Sequence, residues 1–259
     1  MKQMLKTLKI RIVAVNMLFT PCISLADSNA WTTLYRDVEI DVYHLKDTRN
    51  LQLFLNNTED HSPIRTFHKL GNSLSKCENL KFAMNGGMFH KNFTPVGLYI
   101  ENFRKIYPLN LQKNHVGNFY LEPNGVFAWN KNHVNIYTAH QFLHQSRMYQ
   151  YAMQSGPLLV LNGEINPVFI ETSDSKKIRN GVGVGPDGVY FAITRKKINF
   201  YDFADFFKTE LKVKQALYLD GSISSLYLPE LHRDTQKVYL GPMIAEIDQS
   251  LCTKAQSDE

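Results

Sequence analysis

Cysteine is scarce in this chain, with three in 259 residues, and one of them, Cys22, lies in a stretch expected to be removed. Neither Cys77 nor Cys252 sits in a glycine-rich or sharp-turn context, which argues against a cysteine nucleophile. After residue 26 there is no long apolar run, so no membrane span is expected in the mature chain. A Gly-x-Ser-x-Gly elbow and a phosphate-binding P-loop are also missing, which removes two large classes of hydrolase. No internal repeat, low-complexity linker or block of like charge divides the chain, so a single domain is the simplest organisation.

What is present begins with a leader. Lys2, Lys6, Lys9 and Arg11 precede an apolar segment ending in Ser24-Leu25-Ala26, a small-x-small cleavage pattern. Residues 1–26 are therefore expected to be a secretory signal, and residues 27–259 the mature, periplasmic or secreted domain. Removing the leader takes four positive charges and no negative ones, so the formal +5 falls to about +1. The basic balance then carries no nucleic-acid signal. In an oxidising compartment Cys77 and Cys252 either pair or remain as two buried thiols; spacing does not decide between them.

Coarse patterning predicts an α+β domain with a mixed, largely antiparallel sheet system and packed helices. Strands are expected at residues 38–45 and 51–55, and helical spacing of Ile64, Phe67, Leu70 and Leu74 predicts a helix over 64–74. Residues 117–138 read as a three-strand meander, and Asn162-Gly163 as a hairpin turn. Residues 203–211 are expected to be helical, capped by Asp202, and to lead into a strand at 216–219.

Two motif-like strings are set aside. Gly183-Val184-Gly185-Pro186-Asp187-Gly188 matches a dinucleotide fingerprint in letters, but a strand follows it where a helix is required, so a turn explains these glycines. His140 and His144 stand one helical turn apart, yet Gln141 replaces the glutamate of zinc proteases and no third ligand is near in sequence. No metal ion and no organic cofactor is expected.

Four polar turns abut strongly apolar strands: Asn85-Gly86-Gly87, Ser155-Gly156-Pro157, Arg179-Asn180-Gly181 and Asp220-Gly221-Ser222. Each alone is an ordinary reversal. Together they offer an amide, an arginine, a carboxylate and hydroxyls, and their shared position at strand ends predicts convergence on one cleft.

The ordered series FAMNGGMF, PVGLYI, GNFYLEPNGVFAW, QSGPLLV, IRNGVGVGPDGVYFAIT and ALYLDGSISSLY resembles the phosphodiester glycosidase family, over about residues 77–245. The resemblance implies hydrolysis of a sugar-1-phosphodiester, such as an N-acetylglucosamine-1-phosphodiester, to free sugar and a phosphomonoester. It places the family's Asn-Gly-Gly on Asn85, Gly86 and Gly87, its Ser-Gly-Pro on Ser155, Gly156 and Pro157, its arginine on Arg179, and its Leu-Asp-Gly on Leu219, Asp220 and Gly221. One departure is plain: where uncovering-type members continue with glycine-rich Gly-Gly-Ser-Ser, this chain has Ser222-Ile223-Ser224-Ser225.

The chemistry assigns expected roles. Glycosidic cleavage passes through an oxocarbenium-like state, which an ionised carboxylate stabilises or attacks, and Asp220 is the candidate. Arg179 and bared backbone N–H groups at Gly86 and Gly221 would hold the phosphate. Asn85, Ser155, Asn180, Ser222 and Ser224 are candidates for substrate hydrogen bonds, with Gly87 and Gly156 beside them and His90 as a proton shuttle. No second catalytic carboxylate stands out among Glu39, Asp41, Glu101 and Glu164. The rivals are an envelope protein that binds a glycan or phosphorylated polymer without cleaving it, and a metal-dependent phosphodiesterase.

Overall fold

The computed structural model describes residues 29–113 and 115–252; the expected leader lies outside them. Among the described residues, seventeen strands, numbered along the chain, form three sheets. The first sheet runs in the order β1 (Ala30–Tyr35), β2 (Val38–Leu45), β13 (Gly188–Thr194), β12 (Asn180–Gly185), β14 (Gln215–Asp220), β10 (Leu158–Leu161), β11 (Glu164–Ile165). The second runs β16 (Arg233–Asp234), β15 (Leu226–Leu228), β4 (Asn79–Asn85), β17 (Met243–Asp248), β3 (Leu51–Phe54). The third runs β6 (Arg104–Tyr107), β5 (Tyr99–Glu101), β9 (Tyr151–Ser155), β7 (Gly125–Asn130), β8 (His133–Thr138). Every neighbouring pair in the three sheets is antiparallel, within the α+β class expected.

Strand periodicity explains how the sheets share one interior. On β14, Leu217 and Leu219 point into a core common to all three sheets, while Ala216 and Tyr218 point the other way, toward α3 (Phe200–Thr209). The sheets meet at an aromatic junction: Tyr43 stacks on Phe82 at 4.6 Å, Phe82 lies 4.8 Å from Phe191, and Phe127 meets Phe191 edge-on at 6.1 Å. Such pairs contribute about 0.5–1.5 kcal/mol each beyond burial. Three helices cover the outer faces: α3 with Phe203, Phe206 and Phe207 on the first sheet, α1 (Phe67–Asn72) on the second, and α2 (Ala139–Leu143) on the third. None is long and apolar enough to cross a membrane.

Local expectations need four corrections. The helix expected at 203–211 starts at Phe200, because Asn199 is the cap and its side chain accepts the Asp202 N–H at 2.7 Å. Asp202 instead sits in the first turn and pairs with Arg36. The helix expected over 64–74 is confined to α1, capped by Thr66. Residues 118–120 form a 3-10 turn, so the meander has two strands, β7 and β8.

The glycine string at 183–188 closes the β12–β13 hairpin, with Gly185 opposite Gly188 at φ 140°. Cys77 and Cys252 form a disulfide that ties the start of β4 to the end of its neighbour β17. Three strand ends then arrive at one place, one from each sheet: β4 at Asn85, β9 at Ser155 and β14 at Asp220.

Candidate active site

Hydrogen bonds join these ends. Asn180, opposite Asp220 in the first sheet, donates from Nδ2 to Asn85 Oδ1 at 2.9 Å and accepts the Asp220 N–H on Oδ1 at 2.9 Å. Asn85 Oδ1 also accepts the Ser225 N–H at 2.8 Å. Ser155 Oγ donates to the Leu219 carbonyl at 3.1 Å, tying the third sheet to the first. Ser224 Oγ donates to the Asp220 carbonyl at 3.0 Å. Asn85, Ser155, Arg179 and Asn180 are all buried, while Asp220 stays partly exposed at the rim.

Burial pushes the Asp220 carboxyl up to about 6, against the backbone N–H groups of Gly221, Ile223 and Ser222, which pull it down. The Gly221 N–H lies 2.5 Å from Asp220 Oδ1. This corrects the expectation that it is bared for a phosphate, since the carboxylate already takes it. The Gly86 N–H is likewise spent, on the Pro242 carbonyl at 2.8 Å. Gly87 serves close packing: a Cβ there would stand 2.5 Å from the Gln154 carbonyl oxygen. Gly156 is similarly hemmed in by Asn124.

Arg179 is held from beneath. Its Nε donates to the Ile198 carbonyl and one terminal nitrogen to the Ser175 carbonyl, both at 2.9 Å, and the guanidinium lies 3.6 Å over the Phe200 ring. Burial lowers its pKa. Among the described residues Asn85 Nδ2 has no hydrogen-bond partner, and the other terminal nitrogen of Arg179, Nη1, forms no well-aligned bond, although the Tyr218 hydroxyl stands close enough to the guanidinium to raise its pKa against that burial. Tyr218 packs beside the Arg179 guanidinium and against the Cα of Gly221, where any Cβ would strike its hydroxyl. Buried polar atoms without partners are rare in native proteins and call for a reason.

A cleft of about 410 Å³ opens along the loop that follows Asp220; Asn85, Ser155, Arg179 and Asp220 themselves are not in its lining. Its walls are the loop 221–225, with Ser222 exposed, and a facing segment that includes Arg233, Thr235 and Lys237; Arg195 also lines it. Ile223 tucks its side chain against the core beneath the second sheet, which gives the bulk at this loop a packing role. His90 is exposed on a tight turn, and its side chain takes no part in the Asn85–Asn180–Asp220 network. His140 and His144 are exposed around α2, remote in sequence and sheet from Asp220. Of the four unranked carboxylates, Glu101 bonds Tyr99, Glu164 pairs with Lys208, and Glu39 and Asp41 approach Arg195.

Sequence reasoning missed Tyr218, Arg195 and Arg233. The alternation of β14 already puts Tyr218 on the face opposite Leu217 and Leu219, and that was the available signal. Arg195 and Arg233 had none, since each stands in an unremarkable polar stretch and acquires its neighbours only through the fold.

The geometry can be compared with known proteins. The uncharacterized protein YigE of Escherichia coli (strain K12) is 42% identical over 164 residues, 63% of this chain and 64% of that relative's length. The zebrafish N-acetylglucosamine-1-phosphodiester alpha-N-acetylglucosaminidase catalytic domain, auto-inhibited by its pro-peptide, shares the fold with a TM-score of 0.58 at 14% identity, over 84% of this chain and 81% of that one. A hypothetical protein from Synechocystis matches with a TM-score of 0.50 at 12% identity, over 84% of this chain and 61% of that one. The family model for phosphodiester glycosidases matches residues 78–239, which span Asn85, Ser155, Arg179 and Asp220. The chain belongs to the phosphodiester glycosidase family.

Proposed function

We propose that the protein is an exported hydrolase, mature from residue 27 to 259, that cleaves the glycosidic C–O bond of a sugar-1-phosphodiester. The observation that carries this reading is a half-buried carboxylate, Asp220, in a network with Asn85 and Asn180, where, among the described residues, Asn85 Nδ2 and, on the residue before Asn180, Arg179 Nη1 are buried donors without a well-aligned hydrogen bond. A bound sugar phosphate supplies the acceptors they lack.

With a pKa of about 6, Asp220 is mostly ionised at neutral pH. It then stabilises positive charge at the anomeric carbon, as nucleophile or as the base for water. In the first case a carboxylate oxygen bonds to the anomeric carbon while the C–O bond to phosphate breaks and the phosphomonoester leaves with the electron pair. Water then displaces the carboxylate. In the second, water attacks that carbon directly and gives its proton to Asp220. A phosphomonoester has a second pKa of about 6, so it departs without a strong general acid once its charge is held. Arg179 is the residue proposed to hold it, and the bonds of its Nε and other terminal nitrogen to the Ile198 and Ser175 carbonyls, which fix the guanidinium, support that role.

Export is supported by the leader pattern and by the Cys77–Cys252 disulfide, since such bonds persist in oxidising compartments. Ser222 and Ile223, in place of two glycines, favour a second reading in which the cleft binds an envelope glycan without cleaving it.

The test is turnover of N-acetylglucosamine-1-phosphomethyl ester by the mature protein in isotope-labelled water. Label in the sugar is expected. Label in the phosphate would mean P–O cleavage and overturn the assignment, and no turnover of any sugar-1-phosphodiester would favour the binding reading.

A further inference from the structure

We infer that the cleft beside Asp220 is a subsite for a second phosphate, carried by the leaving group, so that the preferred substrate is a sugar-1-phosphodiester with an anionic aglycone. This rests on the glycosidase reading above. Three cations line the cleft, Arg195, Arg233 and Lys237, against one carboxylate, Asp234.

The arginines are built in. Asp41 of β2 is fully buried and pairs with both: Arg195 donates to it from Nε at 2.9 Å, Arg233 Nε stands 2.9 Å away as an ion-pair contact without hydrogen-bond alignment, and the Thr32 hydroxyl donates to it at 2.7 Å. Glu39 approaches Arg195 only at 3.7 Å and is half exposed. Two guanidiniums therefore share one close carboxylate, and both keep over a quarter of their side-chain surface open. Burying such a triad gains little stability by itself, because desolvation offsets the attraction. What it achieves is orientation: Arg195 spends Nε and Nη2 on Asp41 and Thr32, which fixes its Nη1 where it can meet an oxyanion together with the neighbouring Arg233 guanidinium. Lys237, exposed on the facing wall, adds a third charge.

Position ties the cleft to the reaction. One wall is the loop 221–225, which begins at the residue after Asp220, so a leaving group that extends from the Asp220 carboxylate along this loop enters the cleft. Its volume suits a phosphate with a short carbon link, and Ile178, Ile193 and Val238 supply apolar contact for the link. Ser222 adds an exposed hydroxyl at the rim.

Two substrates with the same sugar and scissile phosphodiester decide the matter, one with a methyl aglycone and one with a glycerol phosphate aglycone. The phosphate-bearing substrate is expected to be preferred about tenfold or more in kcat/KM, the scale of hydrogen bonds to charged groups. Lys237→Ala should reduce that ratio several-fold, and added salt should reduce it further. Equal kcat/KM for the two substrates overturns the subsite, and equal preference for a glyceric acid aglycone overturns its assignment to phosphate.

Titration calorimetry with pyrophosphate provides a readout independent of turnover. Binding to the mature wild type, weakened in Lys237→Ala and kept in Asp220→Asn, supports the subsite; absence of binding overturns it. Should neither substrate be cleaved, the glycosidase reading fails while pyrophosphate binding still decides the subsite.

Discussion

Asn180 accepts the backbone N–H of Asp220 on its side-chain oxygen at 2.9 Å, and this one bond sets the direction of those around it. A backbone N–H only donates, so Asn180 must present Oδ1 to it and Nδ2 to Asn85. Asn85 must then accept with Oδ1, which also receives the Ser225 N–H, and its own Nδ2 is left as a donor without a partner. Asn180 is therefore a positioning residue, and Asn85 presents the free amide.

Replacing Asn180 should break this order. Asn180→Ala strands the Asp220 N–H, with a cost of about 1–3 kcal/mol for a buried unpaired group, visible as a lower midpoint in urea. Asn180→Asp still accepts that N–H but sets a second negative charge beside Asp220. The acid limb of kcat/KM is then expected to move upward from about 6, while a limb at the wild-type position would remove Asn180 from the network's electrostatics.

The raised pKa of Asp220 fixes the sign of a stability test. Between the ordinary 3.8 and about 6 the folded state holds a proton that the unfolded state has released. Stability therefore falls as pH rises through this window, and above it the full penalty remains. Asp220→Asn should lose at least about a hundredfold in kcat. It should also melt higher than wild type at pH 7, with the difference shrinking toward pH 4. Full turnover by a folded mutant would remove Asp220 from the mechanism.

Arg179→Lys keeps the charge and loses the fork. One ammonium cannot reach the Ile198 and Ser175 carbonyls and still offer a nitrogen in the place of Nη1. Activity on a phosphodiester is expected to fall about tenfold or more, with a loss of stability of about 1–3 kcal/mol from unpaired carbonyls. Unchanged kcat/KM would move the phosphate role elsewhere.

Opening the disulfide should affect stability and leave chemistry intact. Cys77→Ala with Cys252→Ala frees a link across 175 residues and is expected to cost about 2–4 kcal/mol in denaturant unfolding. The bond lies at the far ends of β4 and β17 from Asn85, so turnover below the melting temperature should hold.

Much of the fold was legible because strand alternation and turn chemistry are local. The β12–β13 hairpin follows from Pro186-Asp187-Gly188, and β14 from the run ending at Leu219. Helix starts were less legible: Asp202 is the cap expected from the pattern, and in the fold Asn199 takes that place, its side chain accepting the Asp202 N–H. At the site, hydrogen bonds join the strand ends at Asn85, Ser155 and Asp220 through Asn180 and Leu219, with Arg179 next to Asn180 in the chain. The Gly86 N–H is not bare, because the Pro242 carbonyl arrives from far along the chain, and the Gly221 N–H is taken by the carboxylate of the residue before it.

The sequence by itself determined the α+β class, the four polar strand ends and the family, since these depend on residue order and short-range periodicity. Tertiary structure decided which polar atoms are satisfied and which are left over. It paired Arg195 and Arg233 on a buried Asp41, spent the Gly86 N–H on the Pro242 carbonyl and, among the described residues, left Asn85 Nδ2 without a partner. Those outcomes depend on groups tens of residues apart meeting in a dry interior, where the desolvation of each polar atom is set by neighbours that no local pattern specifies.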